Sequence, residues 1–475
     1  MALEQTLFAF LLLAGLYALL PASWRTWALF LISVTALYWL QPDLRIRWLD
    51  FFLPTLTILL TISTWFLIRA SNQPITREDW IALGLALGLV LLLSLMRYVP
   101  ASYRYLVASR PPAPGLVGIV LLGALLLTIV ISRLPGKHGF LLLLLITLFG
   151  ILKTEALATA ISHFLRTSTG QDASLASSLD LNWLGFSYVA FRLIHLIRDR
   201  QTGLLPALTL REHITYITFF PAFLSGPIDR AERMVEDLRN LPVLVRVDAT
   251  RYGEGAERII SGLVKKFVIA DTLAQGMTLD AFSSGTLESS YGAWLLLYGY
   301  ALRLYFDFSG YSDIAIGTGL LFGVRLPENF NYPYFRTNIT AFWQSWHMTL
   351  SNWARFYVFS PLSRHLLRRK PKPSSTLVVL ITQISTMLVI GLWHGVTINF
   401  IIWGLWHGIG LWIHKQWSDR TRKWYRGLNE TPYQKWAWQI FAGLITFHYV
   451  VLGWVWFALP DVSQSIHVFA KLFGI

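Results

Sequence analysis

Two Trp-His pairs sit in otherwise apolar surroundings and carry the side chain best suited to moving a proton near neutral pH. His347 follows Trp346 in F-W-Q-S-W-H-M-T-L-S (Phe342 to Ser351), and His394 follows Trp393 in G-L-W-H-G (Gly391 to Gly395). Titratable groups at membrane depth are costly and mark function. A membrane enzyme that moves protons through these imidazoles is the first reading. G-L-W-H-G returns at 404–408, so His407 lies 13 residues after His394 (407 − 394). On one continuous helix that is about 1300° of rotation, which turns the two rings to different faces. A two-histidine metal site is therefore not expected, and His407 is read as structural.

Further polar groups flank these motifs. Asp307 and Asp313 bracket Gly310, and Arg303 precedes Asp307 by four residues, the spacing of an ion pair on one helical face. That pair is expected to hold a helix broken at Gly310. Asn329 and Asn331, between Pro327 and Pro333, read as a loop dipping into the core. Ser225-Gly226-Pro227 reads as a helix break. Trp346, Trp393, Ser351 and Asn399, with Asp307, Asp313, Asn329 and Asn331, complete the candidate substrate or tunnel lining. No metal ligand set is assigned.

The elements that position them belong to a membrane protein. The chain has 475 residues, 55% of them hydrophobic and 14% charged, with a mean hydropathy of +0.51. That is too little polar surface for a soluble globule of this size. Apolar runs at 3–20, 26–40, 51–68, 80–96, 115–132 and 139–152 approach the length of a crossing helix. Runs at 183–197, 212–225, 256–274, 290–306, 374–393, 396–414 and 437–457 carry more aromatic and charged residues. The expected fold is all-α and polytopic, with roughly 11–14 membrane helices. Residues 1–165 read as scaffold helices and 166–475 as the catalytic core. The first run reads as a retained helix, because Glu4 is the only charge before Arg25.

Forty Lys and Arg against 26 Asp and Glu give +14. The basic residues fall in short connections, the signature of cytoplasmic loops against anionic lipid and not of nucleic-acid binding. Arg364, Arg368, Arg369, Lys370 and Lys372 form one such cluster, which could dock an acidic carrier protein. The absence of cysteine excludes disulfides and thiol catalysis.

Five stretches together carry a resemblance: F-L-S-G-P-I-D-R (Phe223 to Arg230), Y-F-D-F-S-G-Y-S-D-I-A-I-G (Tyr305 to Gly317), P-E-N-F-N-Y-P-Y (Pro327 to Tyr334), and the Trp-His motifs Phe342 to Ser351 and Gly391 to Gly408. In this order they resemble the membrane-bound O-acyltransferase family, in the bacterial branch of the alginate O-acetyltransferase membrane subunit and the teichoic acid D-alanyltransferase. The resemblance implies transfer of an acyl group, acetyl first, from a cytoplasmic thioester of coenzyme A or an acyl carrier protein to a polysaccharide or other hydroxyl acceptor outside, with no permanently bound cofactor. It implies a plasma-membrane protein with broken or re-entrant helices around a central tunnel, one that works with a secreted or periplasmic acyltransferase. It places the family's catalytic histidine on His394 and its second motif histidine on His347. A hydroxyl that attacks an acyl carbon needs a base for its proton and a stabiliser for the oxyanion. His394 is therefore read as the base, and His347 as the group that binds the acceptor hydroxyl or the acyl carbonyl. Gln344 and Ser345 depart from the pattern, since relatives often carry two arginines there. D-alanyl transfer toward teichoic acid is the alternative. A secondary transporter or an export subunit without catalysis is the alternative of another class, although a transporter would show repeated halves.

Overall fold

The computed structural model describes residues 3–70, 72–244, 248–277 and 289–475. They fold into helices and connections, with no strand among the described residues. The chain forms two compact units. One comprises Met1–Ile259 and Ala315–Leu326, the other Ile260–Ile314 and Pro327–Ile475. The division does not follow the change of composition near 165, because packing, and not hydropathy, sets it.

Among the described residues, five helices are long and apolar enough to cross a membrane: Leu49–Ile68, Arg77–Tyr98, Pro114–Ser132, Ser375–His394 and Pro432–Ala458. A sixth crossing is counted if Lys137–Lys153 and Glu155–Ser168, bent by 93°, make one broken span. The expected eleven to fourteen crossings are therefore not all matched by helices of this kind. The 183–197 run lies in Phe186–Thr202, which carries Arg192, Arg198, Asp199 and Arg200. The 212–225 run stops after the nine residues of Leu210–Thr218. The 256–274 run leaves Ala249–Leu263 for a wider-wound turn at Val264–Ala270.

In the first unit the break expected at Ser225-Gly226-Pro227 is present. The chain runs irregularly from Phe223 to Arg230 before the helix Ala231–Asn240 begins. A Cβ on Gly226 would lie 2.5 Å from the Ala222 Cα, so only glycine fits. Carbonyls freed by such a break need donors where water is scarce. Arg192, 2% exposed, supplies them by donating to the Ile217 and Ala222 carbonyls at 2.8 Å each.

A charged cluster lies beside it, on helices that are not among the crossing segments. His195 Nε2 is 2.9 Å from Asp199 and 3.8 Å from Glu232, and Arg230 reaches the same two carboxylates at 3.3 and 2.8 Å. Tyr216 spends its proton on the Asp229 carbonyl at 2.8 Å, so His195 Nδ1 at 3.2 Å donates to it. Burial disfavours the imidazolium, but the two carboxylates outweigh it and hold the His195 pKa above its ordinary value. Although His195, Asp199 and Glu232 bring ligand atoms within 4.8 Å of one another, Arg230 and the protonated His195 together balance the two carboxylates, and the cluster reads as a charge lock. A raised folded pKa gives stability that is complete below the unfolded value of about 6.5 and is lost as pH rises through the folded one. The thermal midpoint in detergent should therefore fall as pH climbs above neutral, and His195→Gln should flatten that slope; an unchanged slope would refute the lock.

The helix Ser290–Leu321 runs unbroken through Gly310, a residue of the second unit. The expected break is absent because Gly310 serves close packing: a Cβ there would sit 2.7 Å from the Gly262 carbonyl oxygen, and one on Gly262 would meet the Gly310 oxygen at 2.6 Å. Small residues let helix backbones approach in this way. Gly310→Val should cost about 1–3 kcal/mol by overpacking, read as a lower aggregation temperature in detergent, whereas Gly139→Val, in open space, should not.

The repeated G-L-W-H-G also proves to be a packing device. Ser375–His394 ends at the first copy, and Ile398–Gly427 contains the second. Thr397 caps the second helix by accepting from the Phe400 N–H. Gly391 meets the Phe400 carbonyl, Gly404 the Met387 carbonyl and Gly408 the Ile384 backbone. These contacts run antiparallel, so the two helices form a tight hairpin with His394 at its tip. His394 and His407 therefore stand on different helices.

Candidate active site

All the candidate residues lie in the second unit. His347 precedes the short helix Met348–Ala354 with φ 42° and ψ 54°, a left-handed conformation that costs a non-glycine residue energy and clusters at functional sites. Asn329 holds it there. The Asn329 carbonyl accepts from the Met348 N–H at 2.9 Å, and its Oδ1 accepts from the Thr349 N–H at 3.3 Å and the Thr349 hydroxyl at 2.6 Å. A backbone N–H can only donate, so it fixes which end of the amide is oxygen. His347 Nδ1, 3.2 Å from that oxygen, must then carry the proton. Nε2 is left as a lone pair, buried and without a hydrogen-bond partner among the described residues.

That tautomer narrows the expected role. A bare lone pair accepts from a hydroxyl and repels a carbonyl oxygen, so neutral His347 suits the acceptor alcohol and not the acyl carbonyl.

His394 closes the helix Ser375–His394 and is half-buried. Its ring packs on Phe457 at 4.7 Å, Trp403 at 5.6 Å and Phe400 at 5.7 Å. Trp393 joins the two histidines, with its ring 4.4 Å from that of His394 and 6.0 Å from that of His347. Although 47 positions apart (394 − 347), they are brought against the same indole. Phe308 covers His347 at 4.7 Å.

The remaining candidates divide. Trp346 is buried in an aromatic layer with Trp454 at 5.0 Å and Phe330 at 5.2 Å. Ser351 donates to the Trp346 carbonyl at 3.2 Å and lines a cavity of about 220 Å³ with Gln344, Met348, Asn352 and Arg355. Asp307 pairs with Lys266, not with Arg303, and Asp313 with Lys265; both lysines come from the turn Val264–Ala270, which sequence spacing could not relate to them. Asn331 is exposed and engages through its backbone, donating to the Ser345 carbonyl at 3.0 Å. Asn399 Nδ2 bonds the carbonyls of Leu459 and Asp461 at 2.9 and 3.0 Å and the Ser465 hydroxyl at 3.0 Å, so it staples the C-terminal segment. His407 is fully buried between Trp343 at 5.1 Å and Trp403 at 4.9 Å.

The arrangement offers a lone-pair nitrogen and a second, more accessible imidazole, packed among aromatic rings. Sequence comparison agrees. The membrane-bound O-acyltransferase family model matches residues 135–458. The chain is 35% identical over 292 residues to a probable alginate O-acetylase of Pseudomonas syringae, covering 61% of this chain and 51% of that protein. It is 36% identical over 267 residues to a peptidoglycan O-acetyltransferase of Helicobacter pylori, covering 56% and 47%. Against a teichoic acid D-alanyltransferase of Streptococcus thermophilus it is 33% identical over 289 residues, covering 58% and 68%. The chain spans about half the length of the O-acetylating relatives it matches. With its apolar helices, its paired histidines and a family match across most of its length, the chain is a multi-pass membrane protein that belongs to the membrane-bound O-acyltransferase family.

Proposed function

We propose that the protein transfers an acyl group, acetyl in the first place, from a cytoplasmic thioester to a hydroxyl of a cell-envelope or extracellular polysaccharide. The observation that carries this reading is the packing of both His347 and His394 against Trp393. His394, the more accessible ring, takes the proton as the alcohol oxygen attacks the thioester carbon. The tetrahedral oxyanion collapses, the ester forms, and the thiolate leaves and is protonated. His347 Nε2 accepts from a neighbouring hydroxyl of the sugar and so orients the attacking one. The donor is a coenzyme A thioester or one carried on a protein, and the partner is a secreted or periplasmic acyltransferase that finishes the modification.

The D-alanyltransferase relative, matched over 68% of its length, favours D-alanyl transfer as the second reading. Purified protein given labelled acetyl thioester or D-alanyl carrier thioester, with a polysaccharide or a polyol phosphate, separates the two. Label reaching polysaccharide from the acetyl donor is expected; label moving only from the D-alanyl donor would replace this reading with the second.

The basic connection after Ser360–Leu367 supports a cytoplasmic donor side. Ser363→Cys, introduced into a chain without native cysteine, should react with a membrane-impermeant thiol reagent only after cells are opened. Labelling of intact cells would reverse the orientation.

A further inference from the structure

A second, larger groove, lined by neither His347 nor His394, lies between the helices Ile398–Gly427 and Pro432–Ala458. Its volume is about 770 Å³, within the range of small-molecule sites. Its two ends differ in chemistry. At one end Arg422 and Arg426, a helical turn apart, line the wall and are exposed. Asp419, the only acid between Lys415 and Arg426, is bonded to Lys415 and so does not neutralise them. Toward the other end come Ile413, Phe441 and Ile445, all more than half exposed. Trp417 and Trp438 stand between, stacked at 6.3 Å, where an aromatic belt marks the edge of the hydrocarbon. From Arg422 to Ile413 is about 14 Å along the helix. Tyr449 closes the floor by packing on Gly410.

A cationic head site, an aromatic rim and an apolar channel on a crossing helix match one class of molecule. We propose that this groove binds an anionic phospholipid, with its phosphate on Arg422 and Arg426 and an acyl chain along Ile413, Phe441 and Ile445. Basic pockets between membrane helices recognise acidic head groups. Two cations then give tenfold or more preference over a zwitterionic lipid.

Native mass spectrometry of detergent-purified protein, with added phosphatidylglycerol or phosphatidylcholine, tests this. Wild type should retain phosphatidylglycerol about tenfold better. Arg422→Gln with Arg426→Gln should abolish the preference, whereas Arg420→Gln with Lys423→Gln, the same change of net charge outside the groove, should preserve it. Ile445→Trp, which fills the apolar half from an exposed position, should reduce retention of both lipids. Equal retention of the two lipids by wild type, or equal losses in both arginine-lysine pairs, would overturn the proposal. Displacement of phosphatidylglycerol by soluble pyrophosphate would assign the groove to a free phosphate instead and overturn it too.

Discussion

His394→Ala is expected to lower acyl transfer by about 10²–10⁴-fold, the usual contribution of a positioned base, while the protein still extracts and purifies from membranes. The ring sits at the tip of the helical hairpin, half-buried, so its loss removes the accessible imidazole without opening a deep core. The hairpin itself is held elsewhere, by the glycine contacts of Gly391, Gly404 and Gly408. His394→Gln keeps more of the volume against Phe400 and Phe457 but cannot take up a proton at neutral pH, so it should be equally inactive. Turnover above about a tenth of wild type in either variant would remove His394 from the role of base.

Asn329→Ala is expected to reduce kcat by about ten- to a hundredfold with little change in KM for the thioester. Asn329 Oδ1 is the acceptor for His347 Nδ1, the Thr349 N–H and the Thr349 hydroxyl. Removing it leaves buried donors unsatisfied, at about 1–3 kcal/mol each, and frees the imidazole to change tautomer. Each 1.36 kcal/mol lost from the transition state is tenfold in rate. Asn329→Asp restores an acceptor oxygen for the three donors but loses the 3.2 Å bond from Nδ2 to Ser312 and buries a carboxyl group, which is costly at membrane depth, so it should recover only part of the rate. If alanine and aspartate fail equally while both variants remain folded, Asn329 acts through packing and not through the histidine.

The all-helical membrane character and the two histidines were legible because each rests on a local signal, the first on long apolar runs and the second on Trp-His pairs in apolar surroundings. What set their geometry was not local. The contact between His347 and Asn329 joins a left-handed residue to a loop 18 positions earlier (347 − 329), and no spacing rule relates them. Arg303 to Asp307 satisfied a helical spacing rule, yet Lys266 from another segment takes the aspartate. Gly310 looked like a breaker because glycine weakens helices, whereas its use is to admit a second backbone. The repeat of G-L-W-H-G drew attention to its histidines, but its glycines explain why it repeats. His195 and Arg192 gave no motif at all; a polar residue at a helix break could have been sought from Ser225-Gly226-Pro227, since freed carbonyls demand donors.

The proposed reaction makes an ester. Wild-type protein in lipid, given acetyl thioester labelled in the acetyl group and a hydroxyl-bearing polysaccharide, should produce label bound to the polysaccharide and released by mild alkali, with His394→Ala giving the background of a blank. Label that stays on the thioester or is lost to water at equal rates in wild type and His394→Ala would contradict it.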